Sequence, residues 1–389
     1  MKVLIVSKSP THYTTAGNRF AILAQAKIVR ELGCEVHFLY ILELPIRRKN
    51  QSAYFTDLEA TRKYWGDSFY LFRVPLIQKA WFNLLNRIRK VFFKWECGKD
   101  DNYPVGFSRF VERLQLSQHY DTCIVNYYYL TKLLNHTSIP FKAVFTHDYF
   151  AYKNLVVGEK IPHLNADSEA RAIQRAKYVF AIQEEEGHYY RLISPQSIVY
   201  TVFNAYEYHP KPYTGNHIIL FLSGDNQFNV NGILWFVENV FPSIKDRFSD
   251  ARLLIGGSIC KNLDVIKQSP GVELLGFIEN PSDFYSLADV AINPVYQGTG
   301  LKIKTFEAIS HDKVTLVHPH SARGIFKPFV APIILCETVD SWVCALASIW
   351  GNKDRIYKIK AANKAYMEEM SSFVRNEYRR FLQDVNDHG

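Results

Sequence analysis

The chain has 389 residues, 48% hydrophobic and 22% charged, which is enough apolar surface for two ordinary cores and too much for a disordered chain. Its net charge of +8 is unevenly spread, because residues 71–99 hold Arg73, Lys79, Arg87, Arg89, Lys90, Lys94 and Lys99 against Glu96 alone. So local an excess points to one anionic partner surface and argues against a protein that coats nucleic acid.

The first apolar run, Val3-Leu4-Ile5-Val6, reads as a short strand of a parallel sheet covered on both faces. A turn-rich loop from Ser9 to Gly17 follows. Phe20, Leu23, Ala24, Ala26, Ile28 and Leu32 then recur at helical spacing, and Gly33 is placed to stop that helix. Val36–Ile41 is the second strand, so the Gly17 loop lies where doubly wound folds bind ligands. Residues 43–118 read as an irregular insertion with its own helices. Strands return at Thr122–Val125 and Ala143–Phe145. A helix over Glu169–Ala176 precedes further strands at Tyr178–Ile182 and Val199–Phe203.

Residues 204–216, rich in Asn, Pro and Tyr, read as a linker. A second series begins at once, with a strand at Ile218–Leu222, a loop at Gly224–Asn231, a helix over Gly232–Phe248 and a strand at Ala251–Ile255. Further strands follow at Val272–Gly276, Val290–Pro294 and Val314–Val317, and the tail from Ser341 to Val385 reads as helical. Two such series imply two Rossmann-like domains: 1–205 with the insertion, 206–360, and a helix over 361–389 that returns to the first domain.

Cys34, Cys97, Cys123, Cys260, Cys336 and Cys344 form no C-x-x-C pair and no zinc-type cluster with histidine, so free thiols in a reducing compartment are expected. The N-terminal MKVLIVSKSP lacks a secretory apolar core, and no stretch reaches the ~18 apolar residues of a membrane span. The expectation is a cytoplasmic protein, with a place on the inner face of a membrane left open.

Chemistry concentrates between Val290 and Ile325. A strand ends at Asn293-Pro294, then Gly298-Thr299-Gly300 and Leu301 lead into a helix carrying Lys302, Lys304 and Glu307. Glycines let backbone N–H groups approach a ligand, and a helix N-terminus holds free donors and partial positive charge. With two lysines added, the arrangement suits a diphosphate, and Glu307 suits a diol such as ribose. The competing reading of the same residues is an ordinary β-α turn followed by a solvated Lys/Glu helix.

This segment resembles the G-x-G-x-(K/R)-x-K-x-x-E-A signature of retaining, nucleotide-sugar-dependent glycosyltransferases of group 1, the family-4-like enzymes of GT-B fold. It stands here as Gly298, Gly300, Lys302, Lys304, Glu307 and Ala308. Leu222–Asp225 with Asn229, Asn231, Gly232 and Trp235 is similar to that family's first donor-domain strand, loop and helix. Gly276-Phe277-Ile278 is similar to its nucleobase loop. Thr146-His147-Asp148 and Ala176–Glu186 have counterparts in its acceptor domain. The resemblance covers about 1–42 and 120–330. It departs at Thr299, where many relatives have Glu, at Asp312, where Gly is usual, and at Ala16-Gly17, where a Gly pair is common.

The resemblance implies α/β GT-B architecture, two Rossmann-like domains facing across a cleft. It implies a hexosyltransferase-type enzyme that needs no metal and uses a UDP- or GDP-linked sugar as co-substrate rather than a cofactor. The acceptor would be a glycan or lipid-linked molecule in surface polysaccharide synthesis, and transfer would retain configuration. Donor contacts fall on Gly17, Gly224, Phe277, Ile278, Gly298, Thr299, Gly300, Leu301, Lys302, Lys304 and Glu307. Catalytic roles fall on His147, Asp148 and Lys302, and acceptor stacking on Tyr127 and Tyr128. No carboxylate is placed as a nucleophile, so front-face attack is expected, with the donor phosphate taking the acceptor proton. The alternatives are a non-catalytic GT-B-like glycan- or subunit-binding protein and a nucleotide-sugar epimerase of the same fold.

Three further segments complete the reading. Asp100-Asp101 reads as a polar loop rather than a metal pair, and Glu184–Glu186 as a solvated helix start. Trp81, Leu84, Leu85, Ile88, Val91, Phe92 and Trp95 fall on one helical stripe, with Lys79, Asn83, Asn86, Arg87, Lys90 and Lys94 opposite. That pattern fits a helix lying in an anionic membrane interface, and equally a helix packed on the first domain.

Overall fold

The computed structural model describes residues 1–13, 17–43, 51–93, 103–157 and 166–387. The chain divides into two compact units, Met1–Ala205 with Val374–Gly389, and Tyr206–Phe373.

Unit 1 is built on a parallel seven-stranded sheet: β1 (Lys2–Ser7), β2 (Glu35–Glu43), β3 (Phe69–Val74), β4 (Thr122–Asn126), β5 (Phe141–Phe145), β6 (Tyr178–Ala181) and β7 (Ile198–Thr201). Their order across the sheet is β3-β2-β1-β4-β5-β6-β7. Every residue of β4 and β6 is buried, as both-face coverage requires of unbroken apolar runs. The order reverses between β1 and β4, which opens a crevice at the carboxyl ends of those strands. The last turns of the Lys353–Asp387 helix pack in this unit, where Tyr378 stacks on Phe180 at 5.2 Å and Gln25 donates to the Tyr378 hydroxyl.

The reading of 43–118 as an irregular insertion needs correction. Phe69–Val74 is a full edge strand in parallel register with β2, from Phe38↔Phe69 to Glu43↔Val74. Its signal was an apolar run bounded by Gly66-Asp67 and Pro75. Helices at Gln51–Trp65, Leu76–Phe93 and Phe107–Gln118 complete the segment.

Unit 2 holds β8 (Ile218–Leu222), β9 (Arg252–Gly256), β10 (Val272–Gly276), β11 (Val290–Asn293), β12 (Val314–Val317) and β13 (Ile333–Leu335) in the parallel order β10-β9-β8-β11-β12-β13. The reversal lies between β8 and β11. The expected helix after β8 runs Gln227–Arg247 but widens through a π-turn at Phe236–Val240. Pro242 has no N–H to return to the carbonyl four residues back, which accounts for the local unwinding. Ile219, Phe221, Ile233, Phe236, Leu253, Ile255, Val290 and Trp342 form the core. Two Rossmann-like parallel α/β domains are thus present.

Candidate functional site

In unit 2 the site grows from the end of β11. Asn293 donates from Nδ2 to Thr305 Oγ1 at 3.0 Å, Thr305 Oγ1 donates to the Ser321 carbonyl, and Ser321 Oγ donates to the Val295 carbonyl at 2.7 Å. This closed circuit of buried polar groups ties the strand end, the helix Ile303–Ser310 and the turn after β12 into one rigid frame. The 294–302 loop is strung across that frame. Gly298 has φ +115°, a conformation L side chains rarely adopt, and an added Cβ would meet the Phe228 ring at 3.2 Å. Gly232 lies so close to the loop that a Cβ there would sit 2.9 Å from Val295 Cα.

The helix after β8 therefore packs directly on the glycine loop. Its own start is fixed by Asn226, whose side chain accepts from the Asn229 N–H at 2.9 Å, while Asn229 Nδ2 donates to the Gly224 carbonyl. Gly224 is brought to the same edge of the sheet as Gly298–Gly300. Ile278 packs over Gly256 at the end of β9, and the neighbouring Phe277 ring is 69% exposed. A flat exposed ring at the carboxyl edge of the sheet is suited to stacking on a planar base.

Lys302 immediately precedes the Ile303–Ser310 helix, one or two residues later than the expected start. Its Nζ lies 3.3 Å from His320 Nε2, and His320 Nε2 lies 3.0 Å from the Gly298 carbonyl. Burial, then the Lys302 charge, pushes the His320 ring down to about 4, so it is neutral and its Nε2–H donates to Gly298. Burial and Lys302 also push the Lys304 ammonium down to about 8. Burial raises the Glu307 carboxyl to about 7, against the attraction of Lys304. Leu301 and Thr299 lie half-buried in the same loop. The arrangement presents two cations, a helix start and an acceptor carboxylate along one short path. His320, Ser321, Thr305 and Asn293 were missed from the sequence, although the polar run His318-Pro319-His320-Ser321 directly after an apolar strand was a visible signal.

In unit 1 the crevice is lined by residues following β4 and β5. Asn126 Nδ2 donates to the Val6 carbonyl, which turns its Oδ1 toward His147 Nε2 at 2.8 Å. The amide orientation thereby assigns the tautomer, with Nε2 protonated and Nδ1 left as an acceptor. Burial pushes His147 down to about 3, so the ring is neutral. Tyr127 stacks on His147 at 4.3 Å and on Tyr129 at 5.1 Å, and its hydroxyl accepts from Asn18 Nδ2 at 2.7 Å. Asp148 pairs with Lys153 at 3.1 Å. Gly17 opens the helix that carries Asn18.

Two readings of this unit are corrected. Tyr128 is 1% exposed and packed against Phe150 in the core, so it has no face to offer a sugar. Glu186 is fully buried rather than solvated, taking hydrogen bonds from Thr146 Oγ1 and Gln183 Nε2. Burial raises its carboxyl well above the usual range, and the charge of Asp148 adds to this. Glu169 lies alongside, accepting the Phe150 and Ala151 N–H groups at 3.0 Å, and burial pushes its carboxyl up to about 7. These carboxyls hold the turn carrying His147 and Asp148 from beneath. The Asp100-Asp101 pair lies outside the described residues. Among the described residues no group of three His, Cys, Asp or Glu side chains could hold a metal ion.

Residues 216–352 match the family model described as glycosyl transferases group 1. A search of curated proteins finds no sequence match. Among solved structures, Staphylococcus aureus TarM, in a complex with fondaparinux, α-GlcNAc-glycerol and UDP, superposes with a TM-score of 0.66 at 10% identity, covering 99% of each chain. The pneumococcal O-GlcNAc transferase GtfA, with UDP and GlcNAc, gives the same score, identity and coverage. Anabaena HepE, with UDP and glucose, gives a TM-score of 0.62 at 12% identity over 99% of this chain and 100% of that one. The second unit thus matches the group 1 glycosyltransferases, and the chain has the GT-B fold of the solved glycosyltransferases it resembles.

Proposed function

We propose that the chain is a metal-independent, retaining glycosyltransferase that moves a hexose-type sugar from a nucleotide sugar to a hydroxyl of a glycan or lipid-linked acceptor. A role in surface polysaccharide synthesis at the inner face of a membrane follows from that acceptor class. The observation that carries the reading is the Gly298–Glu307 segment, framed by the Asn293–Thr305–Ser321–Val295 circuit. In this reading Phe277 and Ile278 flank the base, Glu307 accepts from the ribose hydroxyls, and Gly224 and Gly298–Leu301 approach the donor through backbone groups. Lys302, Lys304 and the helix start neutralise the leaving diphosphate, a preorganised arrangement that acts where charge develops. The UDP held by TarM, GtfA and HepE supports a UDP-linked donor over a GDP-linked one.

The neutral His147, with Nδ1 as an acceptor, would orient a sugar hydroxyl, while Asp148 holds the turn through Lys153. Tyr127 would offer its edge and hydroxyl, since other rings stack on it. Gly17 would leave room for the donor sugar. Front-face attack then needs only positioning, with the donor phosphate oxygen taking the acceptor proton as the glycosidic bond to phosphate breaks and that to the acceptor forms. Thermal-shift screening against UDP-, GDP-, ADP- and CMP-sugars should single out one nucleotide. Product analysis by NMR with that donor should then show an anomeric configuration equal to the donor's. Binding of a glycan with no turnover of any sugar nucleotide would replace this reading with that of a glycan-binding protein.

A further inference from the structure

The Leu76–Phe93 helix follows the edge strand β3 and is anchored at its start, where the buried Gln78 side chain donates to the Tyr103 carbonyl. Gln78, Phe82 and Leu85 lie on one flank of the helix, and this flank is buried or half-buried. The main apolar stripe runs beside this flank and is exposed. Ile77 is 79% exposed, Trp81 56%, Leu84 50%, Ile88 39%, Val91 73% and Phe92 74%. At 100° per residue these six fall within about a quarter of the circumference. Of the stripe read from the sequence, Leu85 belongs to the half-buried flank, whereas these six side chains are exposed. Trp95 lies outside the described residues.

A row of six exposed large apolar side chains on one helix is far from the scattered exposure of a normal surface. Charge selects its occupant. The helix carries Lys79, Arg87, Arg89 and Lys90 and no acidic residue. Helical spacing places Lys79, Arg87 and Lys90 opposite or beside the stripe, and Arg87 is exposed. A second copy of the chain would bring a helix of the same charge to the contact, so self-association is opposed by like-charge repulsion. An anionic bilayer supplies both an apolar boundary and negative headgroups. No helix among the described residues is long and apolar enough to cross a membrane, so this one would lie in the interface plane.

We propose that the exposed face of the Leu76–Phe93 helix docks unit 1 on an anionic membrane surface, with Trp81, Val91 and Phe92 entering the headgroup boundary, Arg87 meeting lipid phosphates, and the helix's excess of basic residues adding to the attraction. The docking does not depend on the donor chemistry, because it is read without any sugar nucleotide.

The full chain should float with vesicles of phosphatidylcholine containing about 30% phosphatidylglycerol at low salt, and only weakly with phosphatidylcholine alone. Raising the salt to about 0.5 M should release it. A Lys79→Gln, Arg87→Gln, Lys90→Gln variant should bind anionic vesicles about 100-fold more weakly, at roughly fivefold per charge. A Trp81→Ser, Phe92→Ser variant should lose binding at all salt concentrations. Both variants should keep the wild-type circular dichroism and melting temperature, since Trp81, Arg87 and Phe92 are exposed. Three results would overturn the proposal: no flotation of the wild type, flotation unchanged in both variants, or a wild-type dimer that Trp81→Ser, Phe92→Ser converts to a monomer.

Discussion

The ionisation state of Glu307 makes the proposed donor site testable one residue at a time. Its carboxyl is raised to about 7 by burial. If the ionised form accepts the ribose hydroxyls, nucleotide affinity should rise between about pH 6 and pH 8, and Glu307→Gln should flatten that rise in calorimetric titrations. The same shift bears on stability. A carboxyl with a raised native pKa favours folding below its unfolded value, and that contribution is lost as pH climbs toward 7. The histidines act at the other end of the scale. His147 is pushed to about 3, and His311 and His320 to about 4, in each case first by burial. Depressed histidines cost stability as pH falls below about 6.5, because the unfolded chain then binds protons that the folded chain refuses. The raised carboxyls of Glu169, Glu186 and Glu307 gain stability over the same window, so the histidine contribution is read by difference: the melting temperature of His311→Asn should fall less between about pH 6.5 and pH 4 than that of the wild type, and equal changes would contradict the burial of that ring. None of these shifts was legible in the sequence. Burial and the charges brought close by tertiary structure set them, whereas the lysine and glutamate spacing of the 302–307 segment could be read directly.

Elements were legible where one physical signal dominated. The uninterrupted apolar runs of β1, β2, β4 and β8 could only be strands buried on both faces, and the glycine loop before Ile303–Ser310 declared itself by residue type. β3 was lost because its run lies between two helices in a segment with a strong basic-aromatic pattern of its own. Glu186 was misread because a triple-Glu helix start looks solvated, while Thr146, which donates to it, is brought close only by the β5–β6 pairing. The contact between the Gln227–Trp235 helix and the glycine loop gives a prediction at this scale. Gly232→Ala would press a methyl group against Val295 Cα, a backbone atom that cannot turn aside. The expected cost is ~1–3 kcal/mol of stability together with a weaker nucleotide complex, measured by denaturant melts and calorimetry. Wild-type behaviour in both would mean that the loop is not braced from this side.

For the whole molecule, the presence of two Rossmann-like units was legible from the repetition of strand, loop and helix after the 204–216 linker, because each series starts its own sheet. Where the catalytic charge is balanced is a question at this scale too. Lys302, Lys304 and the helix start are sufficient in kind to hold a diphosphate, so transfer should persist in excess EDTA. Loss of activity restored by manganese or magnesium would show that a cation shares the task. The central claim is that a nucleotide diphosphate binds on the Gly298–Glu307 segment, and it is tested most directly by calorimetric titration of UDP and GDP into the wild type and into Glu307→Ala. One nucleotide should bind the wild type, and Glu307→Ala should weaken it by ~1.5–3 kcal/mol, the scale of a hydrogen bond to a charged group. Equal affinity in the two proteins, or no binding of either nucleotide to the wild type, would contradict the account.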